Sequence, residues 1–181
     1  TSRDRLTFSG PVVFTDDVKG QMRTMILPLV DSIMEALELH GSSFDISCVN
    51  SGAASSADRG MKISGFSADV PAFMALLSAG LALPIRQDMV FTGHIASLDG
   101  DIAQVQGLPE KATAAVQDPD ITCFAYPSLE ADKSMHIHKP VLFENIKAAV
   151  HGCRGKLKLI EVTSIADQLE QTLEPEAIVH A

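Results

Sequence analysis

Apolar residues recur at helical spacing in two segments of the chain. From Thr15 to Gly41 they follow one another at steps of three and four residues, which predicts an amphipathic helix with one buried face. Pro28 interrupts this pattern and is expected to kink the helix or to mark its true start. From Ala72 to Leu83 almost every position is apolar, which predicts a central, buried helix that Pro84 stops.

Shorter apolar runs predict strands. Residues 6–8 and 44–49 are predicted strands, the second because apolar and polar side chains alternate there. The runs 89–95 and 102–105 flank Asp99-Gly100, and an Asp-Gly pair between two such runs predicts a β-hairpin. Helices are further predicted over 108–116, 142–150 and 164–173, and strands over 121–125 and 157–162. Because helices and strands do not alternate strictly, their order predicts an α+β fold.

The length and composition of the chain predict one compact domain. With 181 residues, of which 46% are apolar and 20% charged, the chain can bury a sizeable core. We assign the domain to residues 1–173 and a short tail to 174–181. No apolar run is long enough to span a bilayer, so no membrane contact is expected. Residues 50–60 are small, polar and aperiodic, which predicts a surface loop that is either a lid over a site or a plain solvated connection.

Charge and cysteine usage exclude some partners. The net charge of −9 argues against direct binding of nucleic acid, which requires clustered Lys and Arg. The three cysteines, Cys48, Cys123 and Cys153, are widely spaced and lie in or next to apolar runs. This arrangement predicts reduced cysteines that serve packing, and with them a cytoplasmic location.

A serine and a lysine near the starts of two predicted helices form the first candidate active site. Ser67 precedes the buried helix, and Lys111 lies in the first turn of the helix predicted over 108–116. A serine hydroxyl becomes a good nucleophile when a nearby base takes its proton, and a buried lysine can be that base. Backbone amides at Ser67 and Ala68 could stabilise the oxyanion of an acyl-transfer intermediate. The alternative is that Ser67 only caps the helix and Lys111 is solvated.

Two further features bear on metals and nucleotides. His136-Ile137-His138 would put two imidazoles on one side of an extended segment, but no matching cysteine or carboxylate cluster accompanies them. An exposed polar edge is the alternative interpretation, and we predict no metal site. The sequence also lacks a Gly-rich Lys-Ser/Thr phosphate loop, so this chain is not expected to bind ATP.

Three motifs follow one another along the chain. They are Gly65-Phe66-Ser67-Ala68-Asp69, Phe91-Thr92-Gly93-His94 and Gln106-Gly107-Leu108-Pro109-Glu110-Lys111. Their order and spacing resemble the proteolytic domain of Lon proteases, the ATP-dependent Ser-Lys peptidases. In that family a Gly-Pro-Ser-Ala-Gly motif carries the nucleophile, a Met-Thr-Gly-Glu strand follows, and a Gly-Gly-Leu-Lys-Glu-Lys segment ends with the catalytic lysine. The similarity extends, more weakly, over essentially the whole chain.

The resemblance implies a fold, an activity and partners. It implies the compact α+β domain of that family, with Ser67 as nucleophile, Lys111 as general base and Thr92 as a helper that hydrogen-bonds the lysine. The implied substrates are unfolded polypeptides, cleaved through an acyl-enzyme. The resemblance also implies a hexameric ring driven by an ATPase module outside this sequence. No cofactor is expected in this domain itself.

Four positions around the candidate site depart from the family's motifs. Phe66 replaces a proline, Asp69 a glycine and His94 a glutamate, while Ser64 stands where an acidic residue is usual. Asp69 would disfavour an oxyanion if it pointed inward and would stabilise the first helical turn if it pointed outward. His94 could tune the lysine or itself serve as base for Ser67. The departures keep a second hypothesis open: a non-catalytic Lon-like domain that assembles a ring or docks partners for an attached ATPase.

Overall fold

A computed structural model of the chain describes residues 5–48, 62–131 and 133–172. The helices are α1 (Asp16–Gln21), α2 (Leu27–Ala36), α3 (Asp69–Leu81), α4 (Leu108–Gln117), α5 (Lys133–His138), α6 (Pro140–His151) and α7 (Ile165–Thr172). The strands are β1 (Leu6–Ser9), β2 (Val13–Phe14), β3 (Phe44–Ser47), β4 (Lys62–Ile63), β5 (Met89–Phe91), β6 (His94–Ile95), β7 (Ile102–Ala103), β8 (Cys123–Pro127) and β9 (Lys158–Val162). The predicted loop 50–60 and tail 174–181 lie outside the described residues.

The strands of the described ranges form several small sheets. β1 pairs with β3 and β2 pairs with β4, in both cases in parallel. β8 lies between β5 and β9 in a parallel three-stranded sheet, and β6 and β7 form an antiparallel hairpin. Parallel and antiparallel pairs are thus combined with helices that do not alternate strictly with strands. This arrangement confirms the predicted α+β fold in one compact domain.

The first helical region contains one wide turn. A π-helical segment, Met22–Ile26, connects α1 to α2. Pro28 lies in the first turn of α2 and has no backbone N–H to donate to the carbonyl four residues earlier. The π-helical segment lies just before this proline and accommodates the hydrogen bond that the proline cannot make. α2 ends at Ala36, before the predicted end at Gly41, because Glu38 takes a left-handed backbone conformation with φ of 60°.

α3 is the central helix that the apolar pattern predicted. Its side chains Val70, Phe73, Met74 and Leu77 are at most 1% exposed. The helix packs against α2, the π-helical segment and β6. It begins after Ala68 and ends where Ala82 adopts a left-handed conformation, with φ of 51°. No helix in the described ranges has the length and apolar character that crossing a membrane requires.

The predicted strand 89–95 is divided between two sheets. β5 joins the parallel sheet, whereas β6 forms the predicted hairpin with β7. The break falls at Gly93, where a Cβ atom would stand 2.8 Å from Cγ2 of Val70 and 2.8 Å from Cγ2 of Ile102. The lack of a side chain at Gly93 therefore lets this segment approach the start of α3 closely. At this residue the chain leaves the parallel sheet of β5 and enters the hairpin of β6 and β7.

The segment around His136-Ile137-His138 is the helix α5 and not the predicted extended segment. Helical residues two positions apart project in different directions, so the two imidazoles do not share one side. His136 stacks instead on Phe143, with ring centroids 4.8 Å apart. The prediction of an extended segment with both imidazoles on one side is therefore wrong.

Buried apolar side chains form two main clusters. The first surrounds α1, α2 and α3 and includes Met22 and Phe73. The second lies between α4, α6 and β8 and includes Tyr126 and Phe143. The segment that carries Ser67 enters the first cluster, while the helix that carries Lys111 packs on the second.

Candidate active site

Ser67 lies in the turn directly before α3 and is half-buried. Its carbonyl accepts hydrogen bonds from the amide of Gly93 at 3.4 Å and from the hydroxyl of Thr92 at 3.2 Å. The amide of Val70 donates in return to the carbonyl of Gly93 at 3.3 Å. These bonds fasten the Ser67 turn to the segment between β5 and β6.

The Ser67 turn also has polar groups without partners among the described residues. Neither the Ser67 Oγ atom nor the amides of Ser67 and Ala68 form a hydrogen bond with another described residue. Ala68 occupies the N-cap position, and no side chain caps the helix. Ser67 therefore does not cap α3, because the N-cap position belongs to Ala68 and the helix begins at Asp69. The two amides are those expected to stabilise an oxyanion.

Lys111 lies in the first turn of α4 and is also half-buried. Its Nζ atom donates to the carbonyl of Gln106 at 2.5 Å. Burial lowers the pKa of Lys111 below the ordinary value for lysine, while the negative charge of Glu110 acts in the opposite direction. Lys111 is thus closer to its neutral, proton-accepting form than an exposed lysine would be.

The predicted hydrogen bond between Thr92 and Lys111 is not formed. Thr92, which is 4% exposed, donates to the carbonyl of Ser67, and Lys111 donates to the carbonyl of Gln106. Each side chain thus binds a backbone carbonyl, and no hydrogen bond joins the two. The Thr92 hydroxyl helps to hold the backbone of the Ser67 turn in place.

Ser67 and Lys111 line the same two cavities. One has a volume of about 410 Å³ and is also lined by Phe66, His94 and Gln106. The other has a volume of about 500 Å³ and mostly apolar walls, formed by Ile63, Pro71, Val90, Phe91, Ala115 and Phe124. The structure therefore brings the predicted pair to one place, although Ser67 Oγ and Lys111 Nζ are not hydrogen-bonded to each other.

Asp69 points into the protein and contacts His94. Its side chain is 0% exposed, and its Oδ2 atom lies 2.7 Å from Nδ1 of His94. The same oxygen accepts hydrogen bonds from Nε2 of Gln21 at 3.1 Å and from the amide of Ile95 at 3.2 Å. Burial raises the pKa of Asp69, and these hydrogen bonds oppose that rise. Of the two orientations considered for Asp69, the structure has the inward one.

Three of the four departures from the family's motifs contact one another. The ring of Phe66 stacks on His94, with centroids 5.1 Å apart and planes inclined by 27°. The carbonyl of Phe66 accepts a hydrogen bond from the amide of Asp69 at 3.1 Å. Ser64, the fourth departure, lines the same 410 Å³ cavity. The unusual residues thus form one local arrangement beside Ser67.

The sequence analysis did not predict the contact between Asp69 and His94, but a signal for it exists. Asp69, Phe73 and Leu76 follow at steps of four and three residues, which places all three on one face of α3. That face is buried, and a carboxylate buried without a partner is costly. A polar partner from a neighbouring segment was therefore to be expected.

Within the described ranges, no group of three His, Cys, Asp or Glu side chains is arranged to hold a metal ion. Cys123 is buried in a small cluster with Met89 and Ala125, as expected of a packing residue. Cys48 and Cys153 are half-buried, and both are free thiols. Among the described residues that line the site, Ser67, Lys111 and His94 carry side chains able to act as nucleophile or base.

Comparison with known proteins does not assign the chain to a family. No protein-family model matches it, and no significant match to a curated protein was found. The relation to the Lon proteolytic domain accordingly stays a prediction made on the motifs of the sequence.

Proposed function

We propose that this chain is the peptidase domain of a Lon-like, ATP-dependent serine protease, with Ser67 as nucleophile and Lys111 as general base. The observation that carries the proposal is that both side chains line the same two cavities. The lowered pKa of Lys111 supports it, because a partly desolvated amine more readily takes the proton of a hydroxyl. A cytoplasmic location and an attached or separate ATPase module belong to the same proposal.

Peptide hydrolysis would proceed through an acyl-enzyme. Lys111 leaves the Gln106 carbonyl and accepts the proton of the Ser67 hydroxyl while Oγ bonds to the carbonyl carbon of the substrate. The amides of Ser67 and Ala68 stabilise the oxyanion. The C–N bond then breaks, and the leaving amine takes the proton from Lys111. Water attacks the acyl group, which releases a carboxylate product and restores the Ser67 hydroxyl.

The walls of the larger cavity support a polypeptide substrate. This cavity of about 500 Å³ adjoins Ser67 and is lined mostly by apolar side chains, such as Pro71, Val90 and Phe124. A cavity of this kind suits an apolar side chain next to the cleaved bond. Unfolded polypeptides expose such side chains, whereas folded proteins bury them.

A non-catalytic Lon-like domain is the second candidate. The observation that favours it is the hydrogen bond from Lys111 to the Gln106 carbonyl, which directs the amine to a backbone group and not to Ser67. In that case the domain would assemble a ring or dock partners for an ATPase. A hexameric ring is expected of both candidates, so oligomeric state does not distinguish them.

Labelling with a fluorophosphonate, which forms a covalent bond with activated serine hydroxyls, tests the proposal. We expect the wild-type chain to be labelled and Ser67→Ala not to be. Lys111→Ala should lower the labelling rate by about 10²-fold, as expected for loss of a general base. Ser32→Ala, a change of an exposed serine on α2, is the matched control and should be labelled like the wild type.

Degradation of an unstructured protein by the same variants provides a second measurement. The peptidase proposal requires that Ser67→Ala abolish cleavage that wild type and Ser32→Ala both show. Equal labelling of wild type and Ser67→Ala, together with equal background cleavage, would favour the non-catalytic candidate.

A further inference from the structure

The imidazole of His94 is held on two sides at the wall of the Ser67 cavity. Its Nδ1 atom lies 2.7 Å from Oδ2 of Asp69, which is fully buried in the first turn of α3. One face of the ring stacks on Phe66, at 5.1 Å between centroids. The His94 side chain keeps 29% of its surface exposed, so the ring is fixed without being closed off.

The hydrogen bonds at Asp69 determine which ring nitrogen of His94 carries the proton. Oδ2 of Asp69 already accepts hydrogen bonds from Gln21 and from the amide of Ile95. An ionised Asp69 carboxylate can only accept hydrogen bonds, so we assign the ring proton of His94 to Nδ1. In the neutral ring Nε2 then has a free lone pair, and it binds no other described residue.

This lone pair belongs to a ring that lines the same cavity as Ser67 and Lys111. The cavity of about 410 Å³ brings all three side chains together. Lys111 is engaged with the carbonyl of Gln106, whereas the Oγ atom of Ser67 is free. A second group able to accept the Ser67 proton is therefore present in the wall of the same cavity.

We propose that His94 is a second general base for Ser67 and that Asp69 is its positioning residue; this inference rests on the peptidase function proposed above. The Ser67 proton passes to Nε2 of His94 as Oγ bonds to the substrate carbonyl carbon. The resulting imidazolium is stabilised by Asp69. When the C–N bond breaks, the imidazolium returns this proton to the leaving amine, and hydrolysis of the acyl-enzyme by water restores both residues.

Base catalysis by His94 involves the charged groups around its ring. Asp69 from α3 contacts the ring, Lys111 lines the same cavity, and β7 pairs Ala103 with His94. A protonated imidazole accepts no proton, so labelling through His94 requires the neutral ring.

The test measures the rate of fluorophosphonate labelling of the full chain in a Lys111→Ala background. We expect this variant to be labelled well above the Ser67→Ala background, because His94 remains as a base. Adding His94→Gln should lower the rate by about 10²-fold. Adding Asp69→Asn should also lower the rate, because the new amide can donate to Nδ1 and move the ring proton to Nε2.

Two controls separate catalysis from folding. His136→Gln removes a histidine that also stacks on a phenylalanine, Phe143, but lies outside the cavity, and it should leave labelling unchanged. If His94→Gln alters the thermal unfolding midpoint, His94→Ala with added imidazole replaces it. Imidazole should then restore the labelling of Lys111→Ala/His94→Ala and leave that of Ser67→Ala at background.

The outcomes distinguish this inference from the proposed function. If the wild type is labelled but Lys111→Ala falls to the Ser67→Ala background, the role of His94 is refuted and the Ser67–Lys111 peptidase stands. Equal labelling of Lys111→Ala with and without His94→Gln refutes it as well. If the wild type itself is labelled no better than Ser67→Ala, the peptidase function is refuted and this inference with it.

Discussion

The ionisation of Lys111 depends on two opposed effects at the scale of single residues. Burial in the wall of the cavities lowers its pKa, and the carboxylate of the preceding residue, Glu110, raises it. Glu110 is exposed, so water and salt screen its effect and burial dominates. Because a lysine base must be neutral, a rate that depends on Lys111 rises as pH increases through its pKa.

Glu110→Gln should therefore move the alkaline rise of Ser67 labelling to lower pH. The substitution removes the charge that raises the pKa of Lys111, so more of the amine is neutral at a given pH. The measurement is the labelling rate between about pH 6 and 10 in a His94→Gln background, where lysine is the remaining base. Glu144→Gln, at an exposed site on α6, is the control. A profile that stays in place or moves to higher pH contradicts the prediction.

The contact between two elements places the nucleophile. Gly93 donates to the carbonyl of Ser67 and accepts from Val70, so the link between β5 and β6 holds the first turn of α3. This approach is possible because position 93 has no side chain. The position of Ser67 thus depends on Gly93, which is distant in sequence from α3 but binds its first turn.

Gly93→Ala should destabilise the protein by about 1–3 kcal/mol, the usual cost of forcing an extra carbon into a packed interior. The new Cβ would stand 2.8 Å from side-chain atoms of both Val70 and Ile102, which must move apart. Urea unfolding measures the loss. Gly155→Ala, where a Cβ would meet nothing within 4 Å, is the control and should stay within about 0.5 kcal/mol of the wild type. Equal stability of the two variants would contradict the prediction, because it would show that Val70 and Ile102 can move apart at no cost.

The whole molecule combines two apolar clusters, and the candidate site draws on both. α3 belongs to the first cluster, and α4, which carries Lys111, packs on the second. Since the chain folds as one compact domain, we expect the clusters to unfold together. The relative position of Ser67 and Lys111 then depends on the whole fold and not on either cluster alone.

Phe143→Ala should lower the unfolding midpoint of both clusters by the same amount. The ring is 1% exposed in the second cluster, and its loss is expected to cost about 3–5 kcal/mol. Fluorescence of Tyr126, the single tyrosine of a chain without tryptophan, reports on the second cluster, and far-UV circular dichroism reports on all helices. Val141→Ala, 74% exposed on the same helix, is the control. A shift of the fluorescence transition alone would mean that the clusters unfold separately.

Much of the fold followed from local patterns. The buried helix after Ser67, the hairpin around Asp99-Gly100 and the helix that begins before Lys111 were all predicted, because helical and strand periods and an Asp-Gly turn act over short stretches. The division of 89–95 between two sheets was not predicted. It depends on Gly93 meeting α3, and that contact lies outside any local pattern.

The candidate site divides in the same way. The sequence alone determined that Ser67 precedes a buried helix and that Lys111 opens another, because both positions follow from where apolar runs begin. Only the tertiary structure decided that Asp69 turns inward to His94 and that Lys111 donates to Gln106. Asp69 and His94 are 25 residues apart in the chain, and the cost of burying a carboxylate without a partner favours their contact once the chain is folded. Gln106 lies only five residues before Lys111, but helical periodicity does not extend beyond the start of α4 and so does not predict this bond.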